Sequence, residues 1–440
     1  MKNFVKSFTF ISAIFSISLI ARASDFNVGK VPDSIKRIRA DGDFGKNLKY
    51  LAGTEKDLRG QDHILLDAAQ GRLIVFGMDQ KIYKVDLATH TTQFLAYSPG
   101  VAGGAKIDPL NPQKIIFCSS QEDGVLYPPT IQTGIYELDL SAQPAVVTPK
   151  ILRVLKDTIL NSKTEGVIYS KNQAPKISIS KLATDLAATR PFGICDDLTI
   201  SSDGQRVYIA EPYGTQGGGF GDEFTGKTNQ EEILKAKQNG KIWLWNRTQN
   251  SLSLIGTHLA FVDGIALVPN AAAAADVDTL LFTELSRYRL LRSEIGDNQT
   301  DTKVVLQNLP GMPNALEVDQ QGRVFMAFNK IRSFSLDLIT NFPIFKKFVQ
   351  SVVLKLPQAL KPVPRETGFL ILSPNSEKGY DPLYYTVHDG SLLTSITNVV
   401  PDFQRRRLYL AVYDRRYPGL YMVPMPDVLL SAIFPTDIIF

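Results

Sequence analysis

The chain has 440 residues, 44% of them hydrophobic and 21% charged, and a formal net charge of +4. That balance suits a globular protein with a large core, and without a basic block it gives no electrostatic case for nucleic acid. The two cysteines are too few for a disulfide scaffold and stand in no zinc spacing. The chain opens with Lys2 and Lys6, an apolar run from Phe8 to Ile20, and Ala21-Arg22-Ala23. This is the pattern of a secretory signal cleaved after Ala23, and the run is shorter than the ~20 apolar residues of a membrane span. Residues 1–23 are therefore expected to leave, which takes the charge from +4 to +1. The rest is expected outside the cytoplasm, secreted or periplasmic. An oxidising compartment allows Cys118 and Cys195 to pair, and two buried thiols is the alternative.

Beyond an N-terminal segment at 24–60, one pattern recurs six times over residues 61–428. Second strands read LIVF (Leu73–Phe76), IIF (Ile115–Phe117), VYIA (Val207–Ala210), LLFT (Leu280–Thr283), VFMA (Val324–Ala327) and LYLA (Leu408–Ala411). Third strands read KIYKVDL, GIYELDL, KIWLWNR, RLLRSEI, KIRSFSL (from Lys330) and GLYMVPM. The turns AAQGR, SSDGQR, DQQGR and DFQRRR repeat as well. Six units of β-branched and aromatic strands predict an all-β, six-bladed propeller of four-stranded blades.

Two insertions break the rhythm, at 154–190 and at 341–364. The second interrupts blade five, and Phe345, Phe348, Val349 and Val352 have the spacing of an amphipathic helix. Packing on a blade edge is the first reading of that helix. Peripheral membrane contact, helped by Lys346, Lys347 and Lys355, is the other.

In a propeller the first strand of each blade lines the channel, so equivalent positions face one another. Counting back from the second strands gives Asp62, Gly104, Asp196, Asp263, Asn314 and Asn398. Three converging carboxylates repel, and a ring of hard oxygen ligands suits Ca²⁺. Zn²⁺ would want His or Cys, which the ring lacks. Ordered water among polar channel residues is the simpler alternative.

At these residues the chain resembles the strictosidine synthase-like and adipocyte plasma membrane-associated protein family, within the paraoxonase and gluconolactonase superfamily. The resemblance is densest in CDDLTISSDGQRVYIAE (Cys195–Glu211), FVDGIAL (Phe261–Leu267), LLFTELSRYRLLR (Leu280–Arg292) and LPGMPNALEV (Leu309–Val318). It implies metal ligands at Asp62, Asp196, Asp263 and Asn314. Asp196 and Asp263 stand where the family uses Asn, Asn314 stands where it uses Asp, and Ala315 replaces a further Asn. The paraoxonase histidine would fall near Gly103, and the catalytic Glu of strictosidine synthases at or near Asn398. Neither scheme is therefore expected, and strictosidine synthesis least of all.

The functional expectation is a calcium-dependent hydrolase of a lactone or ester. The metal would polarise the carbonyl, and Asp197, or after it Asp196, would act as base. His63 and Asn398 are expected to contact substrate at the channel mouth. The alternative is a non-enzymatic binding propeller with a structural metal.

Overall fold

The computed structural model describes residues 28–122, 128, 130–156, 166–214, 229, 232–233, 237–269, 277–333, 337, 364–375 and 379–431. The signal reading over 1–23 and the helical reading over 341–363 lie outside these residues. Six antiparallel sheets form the blades of a propeller. Blade one is Gln61–Asp67, Arg72–Gly77, Lys81–Asp86 and Thr92–Tyr97, and blade two is Val101–Ile107, Lys114–Ser120, Gly134–Asp139 and Val146–Ile151. Blade three is Leu198–Ile200, Arg206–Glu211, Gly240–Asn246 and Ser251–Leu259. Blade four is Val262–Leu267, Asp278–Glu284, Arg289–Ile295 and Thr300–Leu306. The first strand of each blade touches those of both neighbours, which closes a ring around one channel.

Blade five corrects one strand assignment. Its second strand runs unbroken from Val324 to Ile331, so Lys330 and Ile331 end that strand and do not begin the third. The third strand is Thr367–Asn375, beyond the insertion, followed by Gly379–His388 as the outer strand. Gly311–Val318 is the inner strand of this blade. The earlier link forms Arg153–Leu155 paired with Thr189–Pro191, and it adds Val167–Ile168 and Lys176–Ser178 to the outer edge of blade three.

Blade six is completed from the other end of the chain. Ile396–Asp402, Arg407–Val412 and Tyr421–Pro424 take Lys49–Tyr50 as their outer strand, with Lys49 opposite Met422 and Tyr50 opposite Tyr421. The Leu420 N–H also donates to Thr54 Oγ1 at 3.0 Å. The propeller therefore draws in part of the segment placed ahead of it.

The second strands are apolar on both faces because each is packed between two neighbouring blades. Leu73, Ile74, Val75 and Phe76 are fully buried, as are Leu280, Leu281 and Phe282. The core is six clusters, one at each interface between blades, such as Ile116, Cys118 and Ile135 against Leu198, Val207 and Trp243. Cutting one such Leu or Ile to Ala typically costs about 2–5 kcal/mol. The repeated turns have a backbone cause. Gly71, Gly204 and Gly322 have φ of +61°, +70° and +76°, and Arg406 takes the same left-handed geometry at +53° in DFQRRR. Among the described residues no helix is long and apolar enough to cross a membrane.

Candidate functional site

A β-bulge re-aims the inner strand of every blade at the ring position. Register shifts fall between Gln61 and His63, Ala102 and Ala105, Val262 and Ile265, Pro313 and Leu316, and Ile396 and Asn398. In blade three, Asp196 N donates to Ala210 O while Ala210 N donates to Asp197 O, so two residues again face one. The bulges turn Asp62, Gly104, Asp197, Asp263 and Asn314 toward a common mouth.

Asp197 is the best-braced of these groups. Its Oδ1 accepts the Leu198 N–H at 2.8 Å and its Oδ2 accepts the Ile265 N–H of blade four at 3.0 Å. On the other side it fills the space left by Gly104, where an added Cβ would lie 1.8 Å from Asp197 Oδ1. The glycine in the ring is thus matched by a carboxylate from the next blade. Asp263 is buried, and its Oδ2 accepts from Asn314 Nδ2 at 3.2 Å. Asn314 Oδ1 accepts the Ala315 N–H at 3.0 Å. Asp62 and Asp196 are half-buried, and the Asp196 carbonyl accepts the Gly104 N–H at 2.7 Å.

Burial, then the nearby Asp197 charge, pushes the Asp62 carboxyl up to about 7. Burial also pushes Asp197 up to about 7, against the lowering effects of Lys106 and the two backbone N–H groups. The folded chain therefore holds these protons more tightly than the unfolded chain, whose carboxyls titrate near 4. The resulting stability is full below about pH 4 and is lost as the pH rises through 7. Each tenfold by which folding tightens a proton is worth about 1.4 kcal/mol of it. Chelator-treated protein should melt progressively lower from pH 5 to 7.5, and Asp62→Asn should flatten that slope. A pH-independent melting temperature would contradict it.

Beyond the mouth lies a second polar group that counting repeats did not find. Lys106 Nζ donates to both Glu317 oxygens at 2.8 Å, and Asn398 Nδ2 donates to Glu317 Oε1 at 3.3 Å. His63 Nε2 lies 3.8 Å from the same oxygen. Burial and the Lys106 charge hold His63 well below the usual imidazole range, although the Ala105 carbonyl accepts from the ring. His63 Nε2 and Asn398 Oδ1 are buried without a hydrogen-bond partner. Lys106 lies two residues beyond Gly104, so strand alternation from the ring could have found it. Glu317 lies three beyond Asn314, and the bulge hides it from that count.

Asn398 thus sits with Glu317 and apart from the Asp263–Asn314 pair. Among the described residues no three His, Cys, Asp or Glu side chains gather closely enough to hold a metal ion. Cys118 and Cys195 form a disulfide with Cα atoms 5.2 Å apart, joining blade two to the residue just before Asp196.

With fold and site in view, two named relatives are informative. One is the adipocyte plasma membrane-associated protein of Danio rerio, 25% identical over 178 residues, 38% of this chain and 40% of the relative. The other is the strictosidine synthase-like 13 protein of Arabidopsis thaliana, 23% identical over 150 residues, 33% of this chain and 35% of the relative. The chain resembles the strictosidine synthase-like and adipocyte plasma membrane-associated proteins. The likeness spans less than half the length of either relative. A solved gluconolactonase of Xanthomonas campestris covers 92% of this chain and 98% of its own at 12% identity and a TM-score of 0.46. No protein-family model matches the chain.

Proposed function

We propose that the chain is an exported, calcium-dependent hydrolase of a lactone or ester. The observation that carries this reading is the pair Asp62 and Asp197. Both are buried and raised to about 7, and among the described residues no ion pair reaches either. Carboxylates confined in this way call for a hard cation. Asp62, Asp196, Asp263 and Asn314 would hold it, and an all-oxygen set suits Ca²⁺ and not Zn²⁺. When bound, the ion supplies Lewis-acid polarisation of a substrate carbonyl.

The chain's own residues do the rest. Asp197 takes the proton of the attacking water, since a group near 7 is partly basic at neutral pH. The Leu198 and Ile265 N–H groups fix its oxygens, and each oxygen keeps a lone pair for that water. The water oxygen bonds to the carbonyl carbon, the ester carbon–oxygen bond breaks, and the departing alkoxide receives the proton from Asp197. His63 Nε2 and Asn398 Oδ1, both unpaired acceptors, receive hydrogen bonds from the substrate. Export through residues 1–23 and contact with a membrane surface through 341–364 belong to the same proposal.

Calcium at a hundredfold excess over its dissociation constant should stabilise the fold by about 2.7 kcal/mol. Asp263→Ala should remove most of that gain, and Asn314→Asp should keep or strengthen it, both read by thermal melting. A panel of lactones and aryl esters, with and without chelator, tests the activity. Turnover that chelator abolishes supports the reading. Calcium stabilisation without turnover would leave a binding propeller, and no effect of chelator on melting or turnover removes the metal.

A further inference from the structure

The acidic pair Asp196–Asp197 belongs to blade three, yet much of what holds it comes from blade two. Ser120, at the end of the second strand of blade two, is buried. Its Oγ accepts the Cys195 N–H at 2.8 Å and donates to the Cys195 carbonyl at 2.9 Å. One hydroxyl thus serves both backbone groups of the residue directly before the pair. Two residues earlier on the same strand face, Cys118 ties the same Cys195 covalently. The hold continues along the chain. The Gly104 N–H donates to the Asp196 carbonyl at 2.7 Å, and the bare Gly104 Cα leaves the room that Asp197 fills. Blade two therefore grips residues 195, 196 and 197 in succession.

We propose that Ser120 is a positioning residue for the channel-mouth carboxylates, setting Asp196 and Asp197 from the neighbouring blade. The inference rests on the proposed metal site for its consequence, but not for its geometry. The disulfide fixes where the Cys195 side chain goes and leaves its peptide groups free to rotate. The Ser120 hydroxyl removes that freedom, because without it a buried N–H and a buried C=O would have to find other partners. The turn of that peptide decides where the next two carboxylates point.

The test uses the full chain with its disulfide intact and compares Ser120→Ala with Ser120→Thr, which keeps the hydroxyl. Amide hydrogen exchange reads the geometry without any metal. Ser120→Ala should speed exchange by about tenfold or more at Gly104, which bonds the Asp196 carbonyl, and at Ile265, which bonds the Asp197 carboxylate. The Val75 and Ile82 amides of blade one should keep wild-type rates, and Ser120→Thr should behave as wild type throughout. Calcium calorimetry reads the consequence, with affinity falling about 10–100-fold in Ser120→Ala, as when a ligand loses its outer support. Unchanged exchange at Gly104 and Ile265 in Ser120→Ala would overturn the proposal. Equal acceleration in the Thr variant would overturn it too, because the hydroxyl would not be the cause. Should the wild type take up no calcium, the metal reading falls while the exchange data still decide the role of Ser120.

Discussion

Replacing Gly104 with alanine should lower the stability of the fold by about 3 kcal/mol and abolish any activity that depends on Asp197. The new methyl carbon would lie 1.8 Å from Asp197 Oδ1 and 2.7 Å from the Asp197 Cα. Rotating a side chain relieves the first contact and not the second, so the backbone of the acidic pair must move. That movement breaks the Gly104 bond to the Asp196 carbonyl and draws the Asp197 carboxylate away from the Ile265 N–H. Denaturant midpoints with an unchanged slope measure the loss. A double-mutant cycle assigns its cause. In an Asp197→Gly background the same Gly104→Ala change should cost much less, because the oxygen it strikes is gone. Additive losses would mean that the two residues do not compete for one space.

Breaking the bridge between blades two and three should cost more. The Cys118–Cys195 disulfide closes a loop of 77 residues. Constraint of the unfolded chain by a loop of that length is worth about 4 kcal/mol in the chain-entropy account. Cys118→Ala with Cys195→Ala should therefore shift the unfolding midpoint by several kcal/mol, while the reducing agent that destabilises the wild type should leave the double variant unaffected. The sulfurs lie within the cluster of Ile116, Ile135, Leu198 and Trp243, so slow reduction of the native protein is the further expectation. A double variant as stable as wild type would show that packing alone joins the blades.

The blade count is legible in the sequence because a strand packed between two neighbours must be apolar on both faces, and six such runs recur with their turns. Blade five misleads at Lys330 because its second strand continues to Ile331 and the true third strand waits until Thr367. Repetition carries no signal across an insertion of that size. The outer strand of blade six is invisible for another reason. Lys49–Tyr50 is two residues long and exposed, so neither length nor hydrophobicity marks it. At the site, Asp62, Asp263 and Asn314 can be found by spacing because the bulges recur at one point in each repeat. The pairing of Glu317 with Lys106 cannot, since at 2.8 Å it spans the channel between blades two and five. Gly104 reads in sequence as a missing ligand. Only the path of the neighbouring chain shows that its emptiness is used by Asp197.

The pairing of Lys49–Tyr50 with Tyr421–Pro424 also sets an order of assembly. The groups that meet there, such as Thr54 and Leu420, are 366 residues apart in sequence. Closing so long a loop adds little entropy penalty, because each doubling of length costs only about 0.6 kcal/mol. Time is the larger constraint. A chain made at about 5–20 residues per second leaves the early strand without its partner for about 20–70 s. Blades one to five can each complete their own sheets in that interval. Blade six cannot, and until it does the ring stands open, with the edges of blades one and five exposed to other chains. The last step of folding is therefore the reunion of the two ends, and a truncation beyond Tyr50 or before Tyr421 should leave an aggregation-prone open ring.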